Sequence, residues 1–328
     1  FIVSNAVAEA SAGVRFVNWQ LRDSVLFNWA IFVAGDLSAS DRSEGVSFSD
    51  VLVGNNGTSS LPIVHIYITV TAISKIGVVL HECTFKQAVL AQWNFDIANP
   101  LVDSTTNSFG GLLFDQTTFS NVSIITWDIT VDGHSVTRRR SARSPTTIWP
   151  AVWFKNTTIE DSDIRDVIVE DNNNNASVAM LAPNQVRGIE FDGSVFRNNR
   201  WGNVSFNSFY QIPFVNAVFM GDEFCECFFG AELKMTLDRN VFQNVTFVKT
   251  NFITRGDFVM FNNDAFSETE FIFSNISSDN NIFPTTNFSC IFPPNLSPTP
   301  LCPTSNISFC PGLFPSPSPF PSPSPFPV

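Results

Sequence analysis

Four segments of this chain align on a central phenylalanine: GSVFRNNRW, NAVFMGDEF, RNVFQNVTF and NDAFSETEF, with Phe196, Phe219, Phe242 and Phe266 spaced 23, 23 and 24 residues apart. Five residues earlier stand Phe191, Phe214, Leu237 and Phe261. Five later stand Trp201, Phe224, Phe247 and Phe271, and ten later Phe206, Phe229, Phe252 and Ile276. Fourteen of these sixteen positions are aromatic in a chain that is 13% aromatic, a grid that chance does not produce. A helix would place apolar residues three and four apart, not at a uniform five. The step of five means that the chain turns a corner every few residues, with one large side chain directed inward per face. The longer period suits one turn of a β-solenoid, whose strands stack about 4.8 Å apart. Each column then becomes a stack of rings, and each fully buried Phe contributes roughly 1.5–3 kcal/mol.

The same register extends upstream in longer units. Leu80, Phe85, Leu90 and Phe95 form one run of fives; Phe114, Phe119, Ile124 and Ile129 form the next, then Trp149, Phe154, Ile159 and Ile164. On this alignment Phe85, Phe119 and Phe154 share a column, 34 and 35 residues apart. The surplus over the short coils predicts a loop leaving each coil, in the polar, turn-rich stretches Pro100 to Asn107, Asp132 to Pro145 and Asp171 to Asn175. Phe48 and Phe16 mark earlier coils, giving roughly eight coils and a rod of order 40 Å. The expected organisation is all-β: residues 1–40 as a first coil or a cap, 41–283 as the solenoid, 284–310 as a Cys/Pro-rich connector and 311–328 as a Pro-Ser tail. A short capping helix over 5–22 is the alternative at the open end, where strand edges need cover.

Composition narrows the partners. Acidic residues outnumber basic ones 30 to 18, for a net charge of −12, which argues against nucleic acid because phosphate binding needs surplus Lys and Arg. With 44% hydrophobic and 15% charged residues, the body is too apolar to be disordered. The most apolar stretch, Leu61 to Leu80, contains Pro62, His65 and Lys75 and alternates at Ile66, Ile68 and Val70. It reads as strands, not as a membrane span.

With 31 Asn and 59 Ser plus Thr, chance gives roughly five N-x-S/T acceptor sites. Ten occur: Asn56, Asn121, Asn156, Asn175, Asn203, Asn244, Asn275, Asn287, Asn295 and Asn306. Several keep the phase of the grid, two places after an aromatic residue (Phe119, Phe154, Trp201, Phe242 or Phe273). The next residue, Val122, Thr157, Val204, Val245 or Ile276, reads as inward, so the Asn reads as outward, with room for a glycan. An inward Asn ladder at the corners is the competing reading. Together with six cysteines and only five lysines, the excess sequons indicate a secreted, extracellular glycoprotein. Cys83, Cys225, Cys227, Cys290, Cys302 and Cys310 are all disulfide candidates; Cys225 and Cys227 stand too close to bridge each other, and fifteen pairings are open.

From Pro284 onward 14 of 45 residues are Pro, which leaves polyproline II as the accessible conformation. With three residues per turn, Phe314, Phe320 and Phe326 fall on one face about 19 Å apart, and residues 311–328 extend roughly 55 Å. Such phasing is not needed in a flexible linker. It makes the three rings candidate assembly contacts, on a neighbouring copy or on the chain's own solenoid.

The F-x-N repeats and the coil length resemble the right-handed parallel β-helix proteins of the pectin-lyase-like and polymorphic-outer-membrane-protein-like group. The five-residue step is similar to pentapeptide-repeat proteins, although the Asp or Asn those place before the central residue is mostly Thr or Val here. The resemblance implies a right-handed parallel β-helix over about residues 40–280 and conveys little about activity. The tail resembles hydroxyproline-rich glycoproteins of green algal walls and flagellar coats. That resemblance implies hydroxylation or O-glycosylation at Pro315, Ser316, Pro317, Ser318, Pro319, Pro321, Ser322, Pro323, Ser324 and Pro325.

Polysaccharide-cleaving β-helices use clustered carboxylates, or Ca²⁺ with a basic residue. Their N-T-D, D-D, G-H-G and R-I-K signatures do not occur, and Gly133-His134-Ser135 is a partial match. Asp161, Asp163 and Asp166 read as a solvated face rather than a metal site, and His65, His81 and His134 show no ligand spacing. Arg138 to Arg143 reads as a processing site or an exposed basic loop, and Arg255-Gly256-Asp257 matches an integrin-binding tripeptide. The expectation is a non-enzymatic structural subunit of an extracellular fibril, wall or flagellar coat, needing no cofactor. Its partners are copies of itself and covalent N- and O-glycans. A β-helix adhesin or glycan-binding module is the alternative, and a degenerate polysaccharide lyase or hydrolase the third.

Overall fold

Alternation of inward and outward side chains is satisfied in strands, and a residue in the left-handed region ends each short strand by turning the chain through a corner. The computed structural model realises this as a parallel β-helix. It describes residues 12–288 except 23–25, 35–43, 56–60, 72–75, 99–100, 104–110, 133–134, 138–149, 173–187, 209, 232–233, 249, 255–256, 268–269, 273–274, 278–279 and 283–284. In the fourth winding the three faces are Leu112–Asp115, Thr118–Ser120 and Ser123–Asp132. The third face is long and bends at Thr126, and Leu112, Phe114, Phe119, Ile124, Trp127, Ile129 and Val131 all point into one core. The apolar stretch around residue 70 forms the strands Ile63–Val70 and Ile76–His81.

Successive windings pair in parallel, and the grid is in register. Phe196 pairs with Phe219, Phe219 with Phe242, and Phe242 with Phe266. The rings of Phe196 and Phe219 stack at 4.7 Å, and those of Phe219 and Phe242 at 4.9 Å. Trp201–Phe224–Phe247 and Phe206–Phe229–Phe252 form two further stacks. The spacing is set by the strand-to-strand distance, which happens to be the separation at which offset aromatic rings attract.

Three expectations are corrected. Residues 12–22 are not the alternative capping helix but belong to the first coil: Ala12–Val17, Gln20–Arg22 and Leu26–Val33 pair with Glu44–Ser49, Leu52–Gly54 and Ile63–Val70 as a complete first winding. Counting from there, ten windings, the last one partial, occupy the described residues, an axial length of about 43 Å. The upstream register holds from the Leu80 run to the Phe114 run, with Phe85 over Phe119, and slips by one face at Phe154. Phe154 pairs with Phe114 and Phe191, while Phe119 pairs with Phe85 and Ile159. A five-residue step looks the same after a slip of one face, so aromatic spacing alone cannot fix which face a run begins on. The loops leaving the coils also carry structure of their own, since Leu101–Asp103 pairs in parallel with Ser135–Thr137.

The signal that fixes the register is a glycine. Gly13, Gly45, Gly77, Gly111 and Gly188 each stand three residues before the residue that opens the run of fives in a winding (Phe16, Phe48, Leu80, Phe114, Phe191), with Ala151 in the same place before Phe154. At this seam the end of the third face closes onto the start of the first. A Cβ on Gly77 would lie 2.7 Å from the Gly111 carbonyl oxygen of the next winding and closer still to Ile97 Cγ2. Gly77→Ala is therefore expected to cost about 1–3 kcal/mol, because a backbone atom has to move. Gly202→Ala, where nothing lies within 4 Å, stays within about 0.5 kcal/mol of the parent in a denaturant titration.

Outside the helix, Ile76, Val79, Leu113 and Trp153 form a second buried cluster on the outer side of the first face. Three of them are in register, Val79 with Leu113 and Leu113 with Trp153.

Candidate functional site: the corner columns

Each corner has two consecutive residues with opposite duties. The first adopts a positive φ and faces solvent; the second points into the core. Asn and Asp tolerate the left-handed conformation better than other side chains, and they hold many of these positions. The sequon residues Asn121, Asn156, Asn203 and Asn244 are all of this kind, with φ between 50 and 53°, and all four are exposed. The residues that follow them, Val122, Thr157, Val204 and Val245, are buried at 3% exposure or less. The outward expectation for these four is met.

Their positions around the rod differ. Asn121 and Asn244 share the corner between the second and third faces, four windings or about 19 Å apart. Asn156 sits on the corner between the first and second faces, and Asn203 on the bend of the third. Asn203 Nδ2 donates to Asp166 Oδ1 one winding earlier at 2.7 Å. Glycosylation removes only one of the two Nδ2 hydrogens, so this bond is compatible with an attached sugar. Asn156 Oδ1 lies 2.5 Å from where a side chain on Gly193 would begin, so the glycine in the next winding is what leaves the Asn156 amide its room. Asn275 and Asn287 lie on the strands Asn275–Ser277 and Thr285–Phe288.

The competing inward ladder also exists, one position further on, and none of its Asn residues is a sequon. At the corner between the first and second faces, Thr117, Thr157 and Ser194 donate their hydroxyls to the carbonyls of Leu80, Phe114 and Phe154, each in the preceding winding. Asn240 Nδ2 donates to Phe214 O at 3.0 Å, while its Oδ1 accepts from Ala217 N at 2.8 Å. At the next corner Val122 N donates to Ser162 Oγ and Ser162 N to Asn199 Oδ1. Asn199 in turn donates from both its backbone N and its Nδ2 to Asp222 Oδ1. Corner amides and carbonyls that the sheets cannot use are thus satisfied from inside.

Asp222 is 1% exposed. Burial pushes its carboxyl up to about 7, against the hydrogen bonds from Asn199 and Met220 that pull the other way. The pattern that placed Val122, Thr157, Val204 and Val245 inward already contained this ladder. Extended to the other windings, the same slot holds Ser162, Ser194, Asn199, Asp222 and Asn240. Their polarity disguised them as surface residues.

Two disulfide candidates are corrected on the same ground. Cys83 and Cys227 are buried free thiols in ladder slots, with Sγ 3.5 Å from the carbonyls of Phe48 and Trp201 respectively. An inward side chain there cannot reach a partner cysteine on the surface. Burial raises the thiols to about 11 and about 12, which leaves them unreactive at neutral pH. Cys225 points outward and is disulfide-bonded.

The acidic trio does not converge on a common point. Asp161 accepts from Asn198, Asp163 pairs with Arg165, and Asp166 accepts from Asn203. His81 Nδ1 is 3.0 Å from Asp115 Oδ2 on the outer side of the first face, and His65 lies on Ile63–Val70. Outside the described residues lie Asn56, Asn175, Asn295, Asn306, Cys290, Cys302, Cys310, His134, Arg138 to Arg143, Arg255-Gly256 and the whole tail with Phe314, Phe320 and Phe326. No protein-family model, curated protein or solved structure matches this chain.

Proposed function

We propose that this chain is a structural extracellular glycoprotein, a rod-shaped subunit of a fibril, wall or flagellar-coat assembly, with its Pro-Ser tail serving as an inter-subunit strap or a glycan carrier. The observation that carries the reading is the placement of four sequon Asn on exposed left-handed corners that ring the rod. Glycans at two corners and at the bend of the third face would sheathe the rod while leaving its ends free for copies of the same chain. The stacked core supports a rigid rod, because each winding is held mainly by its two neighbours.

Mass spectrometry of the native material, before and after peptide-N-glycosidase, tests the first half. Asn121, Asn156, Asn203 and Asn244 are expected to carry sugar, and four unmodified Asn on secreted protein would reject the reading. Electron microscopy of the same material tests the second, with filaments of laterally or axially repeated rods as the expected result. Because these corners are exposed, Asn121→Gln is expected to remove one glycan and to change unfolding stability by no more than about 0.5 kcal/mol.

A further inference from the structure

Beyond its bend, the third face presents a flat outer strip. Alternate residues of its strands point outward, and parallel pairing sets them in rows about 4.8 Å apart along the rod and about 7 Å apart across it. Tyr67, Asn94 and Asp128 stand in one column, in the second, third and fourth windings. Asp96 and Thr130 stand in the next column, following Thr69 of the second winding and Phe32 of the first. Tyr67 and Phe32 are 40% and 41% exposed, two large rings at diagonal positions of one surface. The Tyr67 hydroxyl donates to Gln92 Oε1 in the next winding at 2.9 Å, which fixes the tip of its ring. Asp96 and Asp128 are exposed, Asn94 and Thr130 are half-buried, and Thr130 Oγ1 donates to Asp128 Oδ1 at 3.4 Å. Along the rod the strip therefore runs from two apolar rings to rows of carboxylate, amide and hydroxyl. None of the six side chains Phe32, Tyr67, Asn94, Asp96, Asp128 and Thr130 is basic.

A sugar ring has the matching anatomy, an apolar C–H face and a rim of hydroxyls. An aromatic side chain covers the face. A carboxylate accepts from neighbouring hydroxyls and an amide both donates and accepts, and the bonds to carboxylate are charge-assisted. A polysaccharide repeats these features along its length, as the windings repeat the strip. Like charge at Asp96 and Asp128 opposes an anionic polymer. The four corner sequons leave the strip open, since Asn121, Asn156 and Asn244 stand on other corners and Asn203 on the bend two windings beyond Asp128. We propose that this strip binds an extended, neutral polysaccharide of the surrounding matrix, laid along the rod. Phe32 and Tyr67 stack on sugar rings, and Asn94, Asp96, Asp128 and Thr130 hold their hydroxyls. Each contact is shallow, and repetition over successive windings supplies the avidity. The strip is independent of filament formation and of sequon occupancy.

Affinity electrophoresis of the intact protein tests this, in native gels containing hydroxyethylcellulose, arabinoxylan or glucomannan, with polygalacturonate as the anionic control. Retardation is expected in at least one neutral gel and not in polygalacturonate. Tyr67→Ala and Asp96→Ala, in different windings, are each expected to raise the dissociation constant about tenfold while keeping the parent's far-ultraviolet circular dichroism. Tyr67→Phe, which keeps the ring and loses only the bond to Gln92, should retain most of the affinity. Val241→Ala, at a side chain 38% exposed on the second face, is the control and should bind as the parent does. Migration unchanged in all three neutral gels would overturn the proposal, and so would equal retardation by polygalacturonate. Parent-like affinity in either Tyr67→Ala or Asp96→Ala, or an equal loss in Val241→Ala, would show that this strip is not the binding surface.

Discussion

Phe219→Ala is expected to lower unfolding stability by about 3–5 kcal/mol. The ring is 4% exposed and stacked between Phe196 at 4.7 Å and Phe242 at 4.9 Å, with Phe214 and Phe224 tilted against it at 6.2 and 6.0 Å. Its removal leaves a gap that strand spacing does not let the neighbours close, since Phe196 and Phe242 are each held in register by their own backbone ladders. A denaturant titration followed by far-ultraviolet circular dichroism measures the loss. Phe32→Ala, at a side chain 41% exposed on the first winding, is the control and should change stability by less than about 1 kcal/mol. Equal losses at the two positions would show that ring stacking is not what holds the windings together. The damage should be local as well as large, because a solenoid communicates mainly through nearest-neighbour interfaces.

Asp222→Asn is expected to stabilise the protein at pH 8 and to flatten its pH dependence. The carboxyl titrates at about 7 in the folded chain against 3.8 as a free group. A raised carboxyl means that the folded state holds a proton the unfolded state has released. The stability linked to that proton is therefore complete below pH 4 and is lost as pH rises through 7, amounting to the order of 4 kcal/mol. The amide removes the titration and suits the slot. Asn199 and Asn240 already sit in equivalent positions, each donating Nδ2 to a carbonyl of the preceding winding. The corresponding acceptor for an amide at 222 is the Phe196 carbonyl. Unfolding midpoints measured from pH 4 to pH 8 check this: the difference between variant and parent should grow in favour of the variant as pH rises. A parent that gains on the variant over that range would mean that the donors from Asn199 and Met220 outweigh burial and hold the carboxylate charged.

Particular residues show why some of this was legible and some was not. The aromatic columns were readable because large apolar side chains at a fixed step have few explanations other than a repeating core. The outward sequon corners followed from the same phase, since the residue after each Asn is apolar or β-branched. The slip at Phe154 arose because a five-residue period carries no origin; the glycine three residues before Phe114 and Phe191, replaced by Ala151 before Phe154, supplies one only once the seam is seen to be crowded. Asp222, Asn199 and Asn240 were hidden because a polar residue reads as exposed unless the orphaned corner amides and carbonyls it satisfies are known.

By itself, the order of residues determined that this chain winds, how many residues a short winding takes, and which rings of the short windings lie over one another, because a core repeated every 23 residues leaves periodic marks on composition. Tertiary structure alone decided where each winding starts, which polar side chains turn inward, and which cysteines are free. Those depend on contacts between residues 20 to 40 positions apart, where the requirement is for a missing side chain, a hydrogen-bond partner or sufficient reach, and none of these leaves a local mark in the sequence.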